Sequence, residues 1–330
     1  MFFHCVSLST IFRIKVPSSV DLIRLSKGLS AMESGTDLKR EACLLESHPL
    51  AISGIGNVPA ILSDPCIILG EGNSITLWYL PGALAKPIQV WAMPMLHAEF
   101  YLPSQSHIVS ITNQSWRTSE QYFRQGGTPS GCLEFSPARH MQGHSTWKHT
   151  PSVSAGLSTS EGKDWAKNMC SPSALLSGAL SIMHPPLYAA GLQAREKLDA
   201  WSRENSPAMQ DALEHWLTVY TNLSMMSNRQ TPLHWDPQSQ SDWYDLLATV
   251  DKYDNCFLHI LTLRVQLEYR PRTVVAFSGR LLRHGVIEEG GDQCCLAYCM
   301  QDNIHNWLGV PRPDPMRFHK VWDELAKIQV

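Results

Sequence analysis

Hydrophobic positions recur along the chain in two different rhythms, and the switch between them divides it. Residues 1–50 show no sustained period, which predicts a poorly ordered or peripheral segment. Beyond Gly54 the chain changes character. Ala60-Ile61-Leu62 and Ile67-Ile68-Leu69 are short apolar runs, Gly70-Glu71-Gly72-Asn73 is a turn signal, and Ser74–Leu80 returns as a strand before Pro81-Gly82. Two paired strands are expected there. Ala83–Met95 is expected to be helical in part, limited by Pro87 and Pro94. Residues 103–163 are rich in Ser, Thr, Gln, Gly and His, with Trp116, Tyr122, Phe123, Phe135 and Trp147 spaced through them. They read as a loop-rich insert pinned by single aromatics, either a lid or binding loop or a solvated insert with no role.

From Ser171 the period is helical. Ala174, Leu175, Ala179, Leu180 and Met183 follow Ser171-Pro172, which reads as an N-cap and a proline in the first turn. A second helix is predicted from Pro186 to about Glu204 and a third from Ser206-Pro207 to Trp216. After Trp216 the period becomes two. Strands are predicted at Val219–Met226, Leu246–Val250, Phe257–Leu263, Val265–Tyr269, Thr273–Phe277 and Cys294–Met300. The turns between them are Asp254-Asn255, Arg270-Pro271, Ser278-Gly279 and Gly290-Gly291-Asp292. Short strands with regular turns argue for a sandwich or barrel, with the helices as a buttress. The expected class is α+β: a double-stranded β-helix (jelly roll, cupin-like) over residues 217–310, a helical buttress over 171–216, and one domain over 51–330.

Composition narrows the function only by exclusion. In 330 residues, 17% are charged and 44% hydrophobic, so the chain is expected to be compact and heavily buried. The formal net charge of −3 gives no global attraction to nucleic acid or anionic membrane, and DNA binding would need a local basic patch. No run of eighteen apolar residues predicts a membrane span. Nine cysteines without a CxxC pair read as free thiols in a reducing compartment. Met1–Val20 has an apolar half followed by Arg13 and Lys15, with a loose tail, a transit segment or a start at Met32 all open.

The candidate chemistry lies in Thr231-Pro232-Leu233-His234-Trp235-Asp236 and, fifty residues later, Leu281-Leu282-Arg283-His284. His-x-Asp with a distant His is the ligand set of the facial triad that holds non-haem Fe(II) and leaves one side of the octahedron open. On a strand, residues two apart point to the same side, so His234 and Asp236 face together and Trp235 faces away. The alternative is a surface turn with no metal. A jelly roll accommodates the gap, because its ligands come from strands distant in sequence and adjacent in space.

The strings NRQTPLHWDPQS (228–239), WYDLLATV (243–250), RTVVAFSGRLLRHGV (272–286) and GDQCCLAYCMQDNIH (291–305) resemble the fungal branch of the TET/JBP oxygenases. Weaker resemblance runs upstream through LWYLPGAL (77–84) and ALLSGALSIMHPPLY (174–188). The resemblance implies an Fe(II)- and 2-oxoglutarate-dependent enzyme that oxidises the methyl group of 5-methylcytosine, or of thymine, in DNA. It makes His234, Asp236 and His284 the iron ligands. Arg229 matches one basic position for the cosubstrate carboxylate, where a planar guanidinium binds bidentately. The other basic position falls at Gln293, and a further one at Gln301, where the side chain supplies no charge; Arg280 and Arg283 are the candidates to substitute. The implied partner is double-stranded methylated DNA, bound by a monomer without membrane contact, and the implied location is the nucleus, with the cytoplasm as alternative and mitochondria disfavoured.

A methyl group inside a duplex cannot reach a buried iron, so the resemblance also implies base flipping. Asp302, Asn303 and His305, which follow the last strand, are the candidates to hydrogen-bond the flipped base, with closure of the strand end as the other role. Arg264, Arg270, Arg272, Arg280 and Arg283 form a local basic stretch suited to phosphates or to a solvated strand face. Two other functions stay open: a degenerate DNA- or protein-binding module, and a jelly-roll dioxygenase acting on RNA or protein.

Overall fold

The computed structural model describes residues 15–17, 20–22, 26, 59–86, 117, 119–127, 130–140, 149–236 and 239–328. Two sheets face one another. The larger has eight strands in the order β1 (Lys15–Pro17), β3 (Cys66–Leu69), β4 (Ile75–Leu80), β11 (Val274–Phe277), β8 (Asp245–Val250), β13 (Cys294–Cys299), β6 (Asn222–Ser227), β5 (Gly131–Phe135). The smaller has five: β2 (Ala60–Leu62), β10 (Val265–Glu268), β9 (Tyr253–Ile260), β12 (His284–Gly291), β7 (Thr231–His234). Pairing is antiparallel except β1 with β3 and β2 with β10. This is the α+β, jelly-roll arrangement the strand pattern predicted.

The two faces of the large sheet explain its unbroken apolar runs. Ile67, Trp78, Leu246, Val274, Leu296 and Phe135 pack against helices, while Ile68, Leu77, Tyr79, Val275 and Phe277 pack against Leu258, Ile260, Val265 and Leu267 of the small sheet. Strands covered on both faces lose the apolar–polar alternation that marks a half-buried strand. The small sheet keeps it, since only its inner face is covered: Leu267 and Leu258 are buried, whereas Ile61 and Ile287 are exposed.

The buttress consists of α1 (Ala155–Ser158), α2 (Ser160–Asn168), α3 (Cys170–Met183), α4 (Pro185–Asn205) and α5 (Pro207–Glu214); α6 (Asp302–Leu308) and α7 (Val321–Ile328) follow the sheets. Thr159, His184 and Ser206 cap α2, α4 and α5, each accepting a backbone N–H three residues on. The expected cap at Ser171 is not one. Helix α3 starts two residues earlier, with Met169 at the N-cap position making no side-chain cap, and Pro172 sits inside its first turn, where a missing N–H costs no helical hydrogen bond.

Other expectations are corrected too. Residues 103–163 are not loops throughout: they hold β5, α1 and the first turn of α2, and Phe135 stacks on Trp165 with ring centroids 4.5 Å apart. Within 1–50, Lys15–Pro17 adds an edge strand to β3, and Val20 and Leu22 are buried, because an open sheet edge orders a segment too short to show a period. Asp254-Asn255 does not end a strand; Asn255 takes a positive φ of 52° inside β9, an irregularity Asn tolerates. Gly290 and Gly291 remain paired in β12. The strand predicted through Leu263 stops at Ile260, and Leu261–Leu263 form a 3₁₀ turn. The helix expected over 83–95 falls beyond residue 86 outside the described residues, as do Trp116 and Trp147. No helix among the described residues is long and apolar enough to cross a membrane.

Two buried histidines set a pH dependence. Burial lowers His184, which caps α4 through Nδ1, and His305, packed on Trp243, to about 4 each. The unfolded chain takes up those protons first, near the ordinary value of about 6.5. The stabilisation from keeping both neutral is therefore present above that pH and is lost as pH falls toward 4. At pH 5 each is expected to cost on the order of 2 kcal/mol. Urea unfolding at pH 7 and pH 5 should show the drop, and His305→Gln should reduce it; equal drops in variant and wild type would contradict this.

Candidate metal centre

Strands β7 and β12 run antiparallel with His234 opposite His284, so the register alone brings together residues fifty apart in sequence. Their rings lie 4.3 Å apart, centroid to centroid. The approach of the two strands requires a glycine next to His284. A Cβ at Gly285 would stand 2.7 Å from the Thr231 carbonyl oxygen and 3.0 Å from the Leu233 nitrogen.

Asp236 follows β7 and turns its carboxylate between the rings. His234 Nε2 lies 3.5 Å from Asp236 Oδ1 and His284 Nε2 lies 3.6 Å from Asp236 Oδ2. The ligand atoms all fall within 4.8 Å of one another. Each histidine makes the same second contact: His234 Nδ1 is 2.9 Å from the Pro232 carbonyl oxygen, and His284 Nδ1 is 2.9 Å from that of Leu282. A carbonyl can only accept, so each Nδ1 donates its proton and each Nε2 keeps its lone pair toward Asp236. A backbone carbonyl fixing the tautomer in this way is the usual support of a metal-binding imidazole.

The charge states fit. Burial, first of all, lowers His284 to about 4, so its ring is neutral near pH 7. Burial works to raise the Asp236 carboxyl, but its contacts with His234 and His284 and the facing Arg117 guanidinium outweigh it and hold the group well below its usual value. Two imidazole Nε2 atoms converging on an ionised carboxylate are a donor set suited to Fe(II).

Residues 141–301 match the Tet_JBP family, described as the oxygenase domain of the 2OGFeDO superfamily. Residues 141–301 form a TET/JBP oxygenase domain. A solved structure of NgTET1 in complex with 5mC DNA is similar at a TM-score of 0.48 and 14% sequence identity, over 92% of this chain and 98% of that one. No curated protein matches. The family is one of dioxygenases that take Fe(II) and 2-oxoglutarate, and His234, Asp236 and His284 are the residues here that can hold the metal.

Other site candidates of this TET/JBP chain fall unevenly. Arg229 is buried, bridged through its backbone to Phe123, and within electrostatic reach of Cys132, Cys295 and Asp236; burial lowers its pKa. Gln293 is turned elsewhere: its backbone N–H donates to Asn228 Oδ1 and its side-chain amide to Cys256 Sγ at 3.3 Å. Gln301 is tied to Ser136, Asn222 and Thr221. Arg283 covers the Trp235 ring at 5.4 Å, and Trp235, just past the end of β7, is buried.

Of the residues expected to bind a base, Asp302 pairs with Arg312, Asn303 donates to the His140 carbonyl at 3.0 Å, and His305 is fully buried against Trp243. All three lie on α6, after the last strand, and serve its packing. In the basic stretch, Arg270 pairs with Glu268 and Arg272 donates to the Leu84 carbonyl.

Sequence reasoning missed two residues. Arg117 places Nη2 3.0 Å from Asp236 Oδ1, from 119 positions upstream. Asp245 opens β8 with its carboxyl buried beside Asp236, and burial first, then the Asp236 charge, pushes it up to about 8. No spacing rule links either to the triad. The only available signal for Asp245 was a carboxylate at the start of an otherwise apolar strand.

Proposed function

We propose that this TET/JBP dioxygenase oxidises the methyl group of 5-methylcytosine in DNA. The observation that carries the reading is the convergence of His234 Nε2 and His284 Nε2 on the two oxygens of Asp236, each ring fixed by a backbone carbonyl. When bound there, Fe(II) supplies oxidative decarboxylation of 2-oxoglutarate coupled to hydroxylation of a C–H bond. The chain's own residues bind and orient. His234, Asp236 and His284 take one side of the metal, and Arg229, with Arg117 at the rim, supplies positive charge for the cosubstrate carboxylates. The buried inner face excludes water around the reacting groups.

The substrate part of the proposal rests on the family and on base-flipping chemistry. Protein supplied with Fe(II), 2-oxoglutarate and a duplex carrying a single 5-methylcytosine is expected to consume that base, with succinate formed, as read by mass spectrometry of the nucleosides. Succinate without loss of 5-methylcytosine would move the substrate to another nucleic acid or a protein.

A second reading is favoured by Gln293, whose amide is committed to Cys256 and brings no charge to the site. On that reading the fold binds DNA or protein without turnover. Normal metal binding with no 2-oxoglutarate affinity would support it.

A further inference from the structure

Burying a carboxyl group beside another carboxylate is costly unless something is gained from it. Asp245 is such a group: it is 7% exposed, it feels the charge of Asp236, and no cation among the described residues pairs with it. Its neighbours on the inner side, Tyr220 and Cys299, offer no positive charge either. Its hydrogen bonds show where the gain lies. The Gly279 backbone N–H donates to Asp245 Oδ2 at 3.2 Å, and the Ser239 hydroxyl donates to the same carboxyl group. Both donors belong to backbone that grips Asp236. The Asp236 N–H donates to the Gly279 carbonyl at 2.9 Å, and the Ser239 N–H donates to the Asp236 carbonyl at 3.3 Å.

Asp245 thus ties together the two segments that meet at Asp236, the one that follows it in sequence and the Ser278-Gly279 turn after β11. Ser278 extends the tie, its hydroxyl donating to the Gln240 carbonyl at 3.2 Å. The packing leaves no slack. A Cβ on Gly279 would lie 2.7 Å from Asp236 Oδ2 and 2.7 Å from Asp245 Oδ2, so the glycine is wedged between the carboxylates and transmits the position of one to the other.

We propose that Asp245 is a positioning residue of the metal centre, which holds Asp236 in its metal-binding orientation through Gly279 and Ser239. The proposal rests on the reading of His234, Asp236 and His284 as metal ligands. Asp245 touches neither metal nor substrate; it acts on the ligand through the backbone. Support of this kind is commonly worth ten- to hundredfold in metal affinity.

The test uses the full chain, stripped of metal and titrated with Co(II) alone, following the visible d–d absorption at a temperature well below unfolding. Asp245→Ala is expected to bind Co(II) about ten- to hundredfold more weakly, with an altered spectrum. Asp245→Asn keeps an acceptor oxygen for the Gly279 N–H and should restore most of the affinity and the wild-type spectrum. Ser239→Ala removes one tie and should fall between them. Circular dichroism identifies any variant that has not folded, in which case Asp245→Asn and Ser239→Ala carry the comparison. Wild-type affinity and spectrum in folded Asp245→Ala would overturn the proposal while leaving the metal site intact. If the wild type itself binds no Co(II) or Fe(II), the metal-site reading fails first and the proposal with it.

Discussion

Asp236→Ala is expected to abolish turnover and to weaken metal binding by more than about a hundredfold, with little change in the stability of the metal-free fold. The two effects separate because of where the residue sits. Its side chain is 35% exposed and joins no apolar cluster, so removing it opens no cavity in the core. What it supplies is the charge and the two oxygens on which His234 and His284 converge. His284→Ala would be a poorer test of the same point. That ring is 5% exposed and meets Phe277 edge-on at 4.9 Å, so its loss would cost packing as well as a ligand. The check is metal titration and thermal unfolding of the same Asp236→Ala preparation. Wild-type metal affinity in the folded variant would remove Asp236 from the ligand set.

Arg229→Gln is expected to raise the KM for 2-oxoglutarate ten- to thousandfold while leaving Fe(II) affinity unchanged. A lost charge-assisted pair at a buried site is worth a few kcal/mol, and about 1.4 kcal/mol is a factor of ten. Arg229 carries this expectation because it is buried within electrostatic reach of Asp236, whereas Gln293, the position at which the family resemblance places a second arginine, gives its amide to Cys256. The complementary change, Gln293→Arg, should lower the KM if that strand once shared the anchoring. No gain would assign it to Arg229 together with Arg117. An unchanged KM in Arg229→Gln would shift the role to Arg117, which reaches Asp236 from the rim.

The candidate metal triad was legible in the sequence because both its chemical types and their spacing are restrictive. Two imidazoles and a carboxylate suit one class of metal, and a separation of two on a strand fixes a shared side. The strands that carry them were harder to read. Strand β12 contains Gly285, Gly290 and Gly291, which lower strand propensity and imitate turns. Yet Gly285 is there because β7 comes too close for a side chain. The same compromise hides β5, a five-residue edge strand flanked by loop-like composition. The helices of the buttress showed themselves through caps and apolar spacing, apart from the first turn of α3, where proline was compatible with a position further in than the usual one.

The electrostatic surroundings of the triad were not legible at all. Arg117 meets Asp236 only because the chain folds back across 119 residues, and it lies in a stretch with no period to follow. Asp245 stood in plain view in WYDLLATV, but a single carboxylate carries no partner's address. Asp302, Asn303 and His305 were offered two roles by the sequence, contact with a base or closure of the strand end. They are polar and lie just past the last strand, where α6 engages them in an ion pair with Arg312, a bond to the His140 carbonyl and a buried ring against Trp243.

The most direct measurement is an anaerobic titration of the wild-type protein, first with Fe(II) and then with 2-oxoglutarate, followed by visible absorption. The expected result is a charge-transfer band that saturates at one metal and one 2-oxoglutarate per chain and is missing in Asp236→Ala. Folded protein that binds Fe(II) but develops no band with 2-oxoglutarate would contradict the dioxygenase mechanism, and folded protein that binds no Fe(II) would contradict the metal centre itself.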